Sequence, residues 1–145
     1  MLRGIPSLLT PDALHALASM GHGDELAIVD ANFPAASVAA AGRARLVSFP
    51  GICLSELTDA VLAIFPLDDF GPECAWTMQV VGDATTVPEA VKEVSGLLAQ
   101  HHARATSLER FEFYHRAQAT FAMFQCGDLR RYGNLLLRKG VIAND

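Results

Sequence analysis

The sequence predicts a single α/β domain, residues 1–145, with a central, largely parallel or mixed sheet flanked by helices. Three observations lead there. Short apolar runs alternate along the chain with segments of helical periodicity, the pattern of strands interleaved with helices. The run "ELAIVD" is β-branched and apolar through its centre, as strands covered on both faces are. Finally, 145 residues is the length of one domain, and no linker, low-complexity tract or internal repeat divides it. A chain of this size buries roughly 70% of its unfolded surface and needs no disulfide staple.

Each element has its own signal. Thr10-Pro11-Asp12 opens the first helix with a hydroxyl cap, a proline at the first helical position and an acid at the positive end of the dipole. The helix runs through "DALHALASM" and stops at Gly21. Residues 25–30 form the first strand and residues 45–49, "RLVSF", the second. Ser55 can cap a helix over 56–65, where Leu57, Val61, Ile64 and Phe65 share one face, and Pro66 closes it. Residues 74–81, "CAWTMQVV", read as a strand, 88–102 as a helix and "TSL", 106–108, as a weak short strand. Residues 110–126, "RFEFYHRAQATFAMFQC", read as one helix with Phe111, Tyr114, Gln118, Phe121 and Gln125 on a partly apolar stripe, ended by Gly127. "NLLLRKGV", 134–141, is the last strand.

Composition narrows the partners. A net charge of -5 argues against nucleic acid and anionic membranes, which favour clustered Lys and Arg. With 51% hydrophobic and 19% charged residues and a mean hydropathy of +0.26, the chain is apolar enough to expect part of its surface covered by further copies of itself. Cys53, Cys74 and Cys126 are odd in number and show no CxxC or metal-ligand spacing, so reduced thiols in the cytoplasm are expected. The start "MLRGIPSLLTPD" meets Pro6 and Pro11 before any long apolar run, which fits neither a signal peptide nor a membrane span.

Two groups of residues carry chemistry. In "MGHGDELAIVDANFP", His22 stands in the turn before the first strand, between two glycines that free its backbone, and Asp30 ends that strand. Ligands of open α/β sheets gather beyond the carboxyl ends of strands, and Asp is disfavoured inside them, so Asp30 reads as a ligand contact. Equally, the glycines could simply end a helix, His22 be solvated and Asp30 cap a turn. An extended strand separates the two groups by ~20 Å or more, so they serve one site only if it joins opposite edges, most simply across a subunit interface. The second group is Arg110 and Tyr114 in "ERFEFYHRA" with Tyr132 and Asn134 in "RYGNLLLRKG". Rings beside amide and guanidinium donors suit a sugar, which stacks through its C–H faces and hydrogen-bonds through its hydroxyls. They suit equally a core tyrosine, a solvated arginine and an ordinary turn.

The blocks "GIPSLLTPDALHALASMGHGDELAIVDANFPA", "FPLDDF", "ERFEFYHRA" and "YGNLLLRKGV" together resemble the fucose mutarotase and ribose pyranase family, on its fucose mutarotase branch. The resemblance spans nearly the whole chain. It implies interconversion of the α and β anomers of a free sugar such as L-fucose, without metal or organic cofactor, by a ring-shaped homodecamer with sites between subunits. Carried over, it makes His22 the catalytic acid and Asp30, Arg110, Tyr132 and Asn134 sugar contacts, with Asp68 of "PLDDF" and Tyr114 as further substrate positions. One departure stands out. Where the family tends to carry a basic-acidic pair before its glycine, this chain has Ser48-Phe49-Pro50-Gly51, so a charge pair has become apolar.

The implied chemistry needs an acid and a base, and imidazole, with an unperturbed pKa of about 6.5, holds or releases a proton near neutral pH. Two alternatives stand beside it: a ribose-type pyranase acting on another aldose, and a sugar-binding or regulatory module without turnover. A metal-dependent hydrolase is poorly supported, because His101 and His102 are adjacent, leave a helix in different directions and have no nearby acid. His15 and His115 read as surface or packing residues, Trp76 as a sheet-face or interface anchor, and Phe121, Met123 and Phe124 as core or subunit contacts. Arg138 and Lys139 are expected to be solvated.

Overall fold

The computed structural model describes residues 1–144. In chain order they form α1 (Pro11–Ser19), β1 (Glu25–Val29), α2 (Ala35–Gly42), β2 (Arg45–Phe49), α3 (Leu54–Leu62), β3 (Ala75–Met78), α4 (Glu89–Gln100), β4 (Ala105–Leu108), α5 (Arg110–Gln118), β5 (Ala122–Cys126) and β6 (Leu135–Arg138). The strands make one sheet in the order β2-β5-β1-β6-β3-β4. It is mixed: β1 and β2 pair with β5, and β3 with β4, in parallel, while β6 runs antiparallel between β1 and β3.

The pleat sorts the core into two layers. Along β1, Leu26 and Ile28 face α1, α3 and α4, whereas Ala27 and Val29 face α2 and α5, together with Phe33, Trp76 and Phe113. Both faces are covered, which is why this strand is apolar without alternation. Phe49, from the stretch that departs from the family pattern, is buried at the end of β2 with its ring centroid 5.3 Å from that of Phe124. Among the described residues, no helix is long and apolar enough to cross a membrane.

Four expectations are corrected. The segment read as one helix over 110–126 divides: α5 stops at Gln118, and 122–126 becomes β5, held on both edges by β1 and β2. Two-sided ladder bonding of a short apolar segment outweighs its fit to a helical stripe. Residues 35–42, which carry no periodic signal because their two faces show little contrast, form the Ala-rich α2. The third helix begins one residue before Ser55, with Cys53 at the N-cap, and its first N–H goes to Asp128 Oδ2 (3.2 Å) rather than to a local hydroxyl. Arg138 and Lys139 are structural rather than free. Arg138 and Arg116 both lie over the Trp76 ring, 4.9 and 3.5 Å from its centroid, and both bind Glu25. Lys139 Nζ donates to the carbonyls of Leu17 and Met20 at 2.7 Å each, satisfying the C-terminal end of α1.

The end of α2 lies directly on the end of α5. A Cβ on Gly42 would stand 1.6 Å from the Gln118 carbonyl oxygen, whereas one on Gly96, in α4, would meet nothing within 4 Å. Gly42→Ala is therefore expected to destabilise the fold by about 3 kcal/mol, the upper end of overpacking costs. Gly96→Ala is expected to stabilise it by about 0.5–1 kcal/mol, from reduced backbone entropy in the unfolded chain. Urea denaturation of the two variants checks both signs.

Candidate active site

The sheet presents functional groups at two opposite edges. At the carboxyl ends of β1 and β3 a cavity of about 180 Å³ is lined by Asp30, Phe33, Met78, Arg110, Tyr114, Tyr132 and Asn134, among others. Since β6 is antiparallel, its beginning lies at this same edge and delivers Asn134 there. Arg110 and Tyr114 are four residues apart in the first turns of α5 and so share a face. Five of the seven sequence-predicted residues thus line one cavity.

Asp30 organises the cavity floor. Its Oδ1 accepts the N–H groups of Asn32 and Phe33, both at 2.9 Å, and its Oδ2 that of Gly133 at 3.1 Å. Its own N–H donates to Asn134 Oδ1 at 3.0 Å. Burial pushes the Asp30 carboxyl above its usual range, the three N–H bonds pull it partly back, and the nearby Asp128 charge adds to the rise.

The groups left over are mainly donors. Asn134 spends its carbonyl on Asp30, so its amide nitrogen faces the cavity with only the Met78 sulfur at 3.9 Å. The Tyr132 hydroxyl accepts from the Val81 N–H at 3.2 Å and keeps its own proton to give. Arg110 Nε is buried and has no hydrogen-bond partner among the described residues. Phe33 and Tyr114, with ring centroids 5.1 Å apart, supply an apolar wall. Three donors and an aromatic wall around a small cavity match the hydroxyls and C–H face of a monosaccharide.

The other two predicted residues meet at the opposite edge. His22 Nε2 lies 3.2 Å from Asp68 Oδ1, which also accepts the Phe70 N–H at 3.2 Å, and the imidazole packs against the Phe70 ring with centroids 5.1 Å apart. Burial opposes ionisation of Asp68, but the Phe70 N–H, His22 and the positive charge of Arg138 outweigh it and hold the carboxyl below its usual range. An ionised carboxylate only accepts, so Nε2 carries the hydrogen and Nδ1 of the neutral ring carries the lone pair. The imidazole is half exposed, and Phe70 beyond it is largely exposed.

Residues 3–142 match the RbsD / FucU transport protein family. The chain belongs to that family. Among its relatives, the fucose mutarotase of Homo sapiens is 41% identical over 147 residues, covering 98% of this chain and 95% of its own length. That of Danio rerio is 42% identical over 147 residues, with the same coverage. The crystal structure of the fucose mutarotase of Streptococcus pneumoniae in complex with L-fucose superposes with a TM-score of 0.88 at 34% identity, covering 98% of this chain and 100% of that one.

In this RbsD / FucU member the cavity also includes Asn32, Phe33, Met78, Val81 and Arg131, which sequence reading did not single out. Asn32 and Phe33 were within sight, since both follow Asp30 in "DANFP". Met78 and Val81 carry no chemical signal of their own and become wall residues only because β3 ends beside β6. Among the described residues, no three His, Cys, Asp or Glu side chains converge on a cation position.

The two carboxyls respond to pH in opposite senses. With its value raised above the usual 3.8, Asp30 takes a proton more readily in the folded chain, so ionising it costs stability as pH climbs from 3.8 through the raised value. Asp68, lowered, stabilises the fold above 3.8, and that contribution is lost as pH falls through its lowered value. Carboxyl carbon shifts followed by NMR should place Asp30 above 3.8 and Asp68 below it, and His22→Ala should move only Asp68 back toward 3.8. An Asp68 midpoint unmoved by His22→Ala would show that the pair does not form.

Proposed function

We propose that this chain is a sugar mutarotase that interconverts the α and β anomers of free L-fucose or a closely related aldose. The observation that carries the reading is a monosaccharide-sized cavity with unspent donors in a chain whose near-full-length relatives are named fucose mutarotase. Arg110, Tyr132 and Asn134 donate to sugar hydroxyls, Tyr114 lines the apolar face, and Asp30 holds the turn that shapes the floor. Asp68 belongs to the site through His22, whose Nε2 it holds at 3.2 Å and so orients.

In the reaction, protonated His22 gives its Nδ1 proton to the ring oxygen while the C1 hydroxyl gives its proton to water. The bond between C1 and the ring oxygen breaks and the free aldehyde forms. Rotation about C1–C2 turns the other carbonyl face toward the C5 hydroxyl, which adds to it. Its proton returns to His22, and the new C1 oxygen regains one from water. A positioned general acid-base group supplies roughly 10²–10⁴-fold over the unassisted rate.

We further propose that the site is completed between copies of the chain, in a ring-shaped homo-oligomer, with a decamer as the expected size. One argument is separation: β1 lies between the His22 turn and the Asp30 cavity and holds them at opposite edges. Another is exposure. His22 and Phe70 project outward, and the His22 turn adjoins a groove of about 940 Å³ lined by Gly23, Asp24, Phe111 and Phe121, where 65% of Phe111 is exposed. The reading places the enzyme with free monosaccharides in the cytoplasm.

Replacing His22 with Gln should return L-fucose anomer exchange, measured by NMR magnetisation transfer, to its buffer rate, a loss of about 10²-fold or more. Light scattering should find the assembly unchanged. Exchange at the wild-type rate would remove His22 from the mechanism. Faster saturable exchange of D-ribose than of L-fucose would favour a pyranase, and saturable binding without exchange would favour a sugar-binding module.

A further inference from the structure

We propose that Arg130 is a positioning residue for the sugar wall, acting through Tyr132 and Asn134. Only its kinetic test rests on the mutarotase reading. The segment between β5 and β6 carries both wall residues in irregular backbone. Tyr132 has a φ of +63°, a left-handed conformation that a residue with a Cβ rarely adopts, and its carbonyl accepts the Asn134 N–H at 2.8 Å in a very tight turn. Such a conformation persists only where its surroundings hold it. On one side the holder is Asp30, through the Gly133 N–H.

On the other side it is Arg130. Its Nε and Nη2 donate to the Asp128 carboxylate at 3.0 and 2.8 Å, and its Nη1 and Nη2 to Glu93 at 2.7 and 3.0 Å. Asp128 also accepts the Arg130 N–H at 3.0 Å and the Leu54 N–H at 3.2 Å, and its carbonyl accepts the Ala31 N–H at 2.9 Å. One guanidinium therefore ties the segment to α4 through Glu93 and, through Asp128, to the start of α3 and the turn that follows Asp30. The arrangement reaches the wall through the backbone, because Arg130 stands only two residues before Tyr132 and four before Asn134.

The pair with Glu93 is partly exposed and contributes little stability by itself, whereas the Asp128 carboxylate is buried and needs its partner. The consequence of the two together is positional. Two carboxylates bound by one planar fork fix the direction of the side chain as well as its location, and a lysine ammonium cannot reproduce that geometry.

Arg130→Met is expected to raise KM for L-fucose about tenfold or more while leaving kcat within about threefold, since the imidazole lies at the other sheet edge. Arg130→Lys should fall between. The chain has two tyrosines, so 3-fluorotyrosine labelling gives two fluorine resonances. In sugar-free Arg130→Met the Tyr132 resonance should shift and broaden while that of Tyr114 stays in place. Glu93→Gln, which loses one of the two carboxylates, should move KM and the Tyr132 resonance in the same direction by less, and it serves if Arg130→Met does not fold. Unchanged KM with an unchanged Tyr132 resonance, or a fall in kcat at constant KM, would overturn the proposal. If the wild type fails to accelerate fucose exchange, the mutarotase reading fails, while a displaced Tyr132 resonance still supports the positional role.

Discussion

A central strand cannot bring its own ends together. β1 is bonded along one edge to β5 and along the other to β6, and its side chains are buried on both faces. It has no freedom to bend. The turn before it and the turn after it are therefore presented at opposite edges of the sheet, and the fold hangs its two sets of polar residues there. At one edge, parallel β1 and β3 end beside the start of antiparallel β6. At the other, β6 ends beside the beginning of β1, and Leu67 pairs with Lys139 just before Asp68.

The polar groups at the two edges are spent differently. In the cavity, the one carboxylate is engaged with three backbone N–H groups, and what remains unpaired is a set of donors from Arg110, Tyr132 and Asn134. Such a set suits oxygen-rich neutral ligands. At the far edge, the order is reversed. His22 has one nitrogen fixed on Asp68 and the other turned outward, with an exposed aromatic ring beside it. On the proposed reading, binding and proton transfer are divided between two edges of the same sheet, and a second copy of the chain is the most economical means of joining them.

Much of this was legible in the sequence, because the signals are local. Thr10-Pro11-Asp12 caps α1 as expected, with the Ala13 N–H on the Thr10 hydroxyl at 3.2 Å. The continuous apolar centre of β1 announced a strand covered on both sides. Asp30 at a strand end, Arg110 and Tyr114 in α5, and Tyr132 and Asn134 before β6 stand out by type as candidates, and the structure brings them to one cavity. Non-local causes were not. β5 is a strand because β1 and β2 flank it, and nothing within "FAMFQC" distinguishes it from a continuing helix. The start of α3 depends on Asp128, more than seventy positions away, and the direction of Arg130 depends in part on Glu93 in α4. That Asp68 belongs with His22 rather than with Asp30 is likewise settled by how β6 returns across the sheet.

The division of labour between edges is tested most directly by complementation between copies. His22→Gln removes the imidazole and leaves the cavity, whereas Tyr132→Ala damages the cavity and leaves the imidazole. Co-expressed in equal amounts, the two inactive chains should recover roughly a quarter of wild-type fucose anomer exchange, because one neighbour pair in four then joins an intact imidazole to an intact cavity. Exchange no greater than either variant shows alone, in mixed assemblies of normal size, would contradict a site shared between subunits.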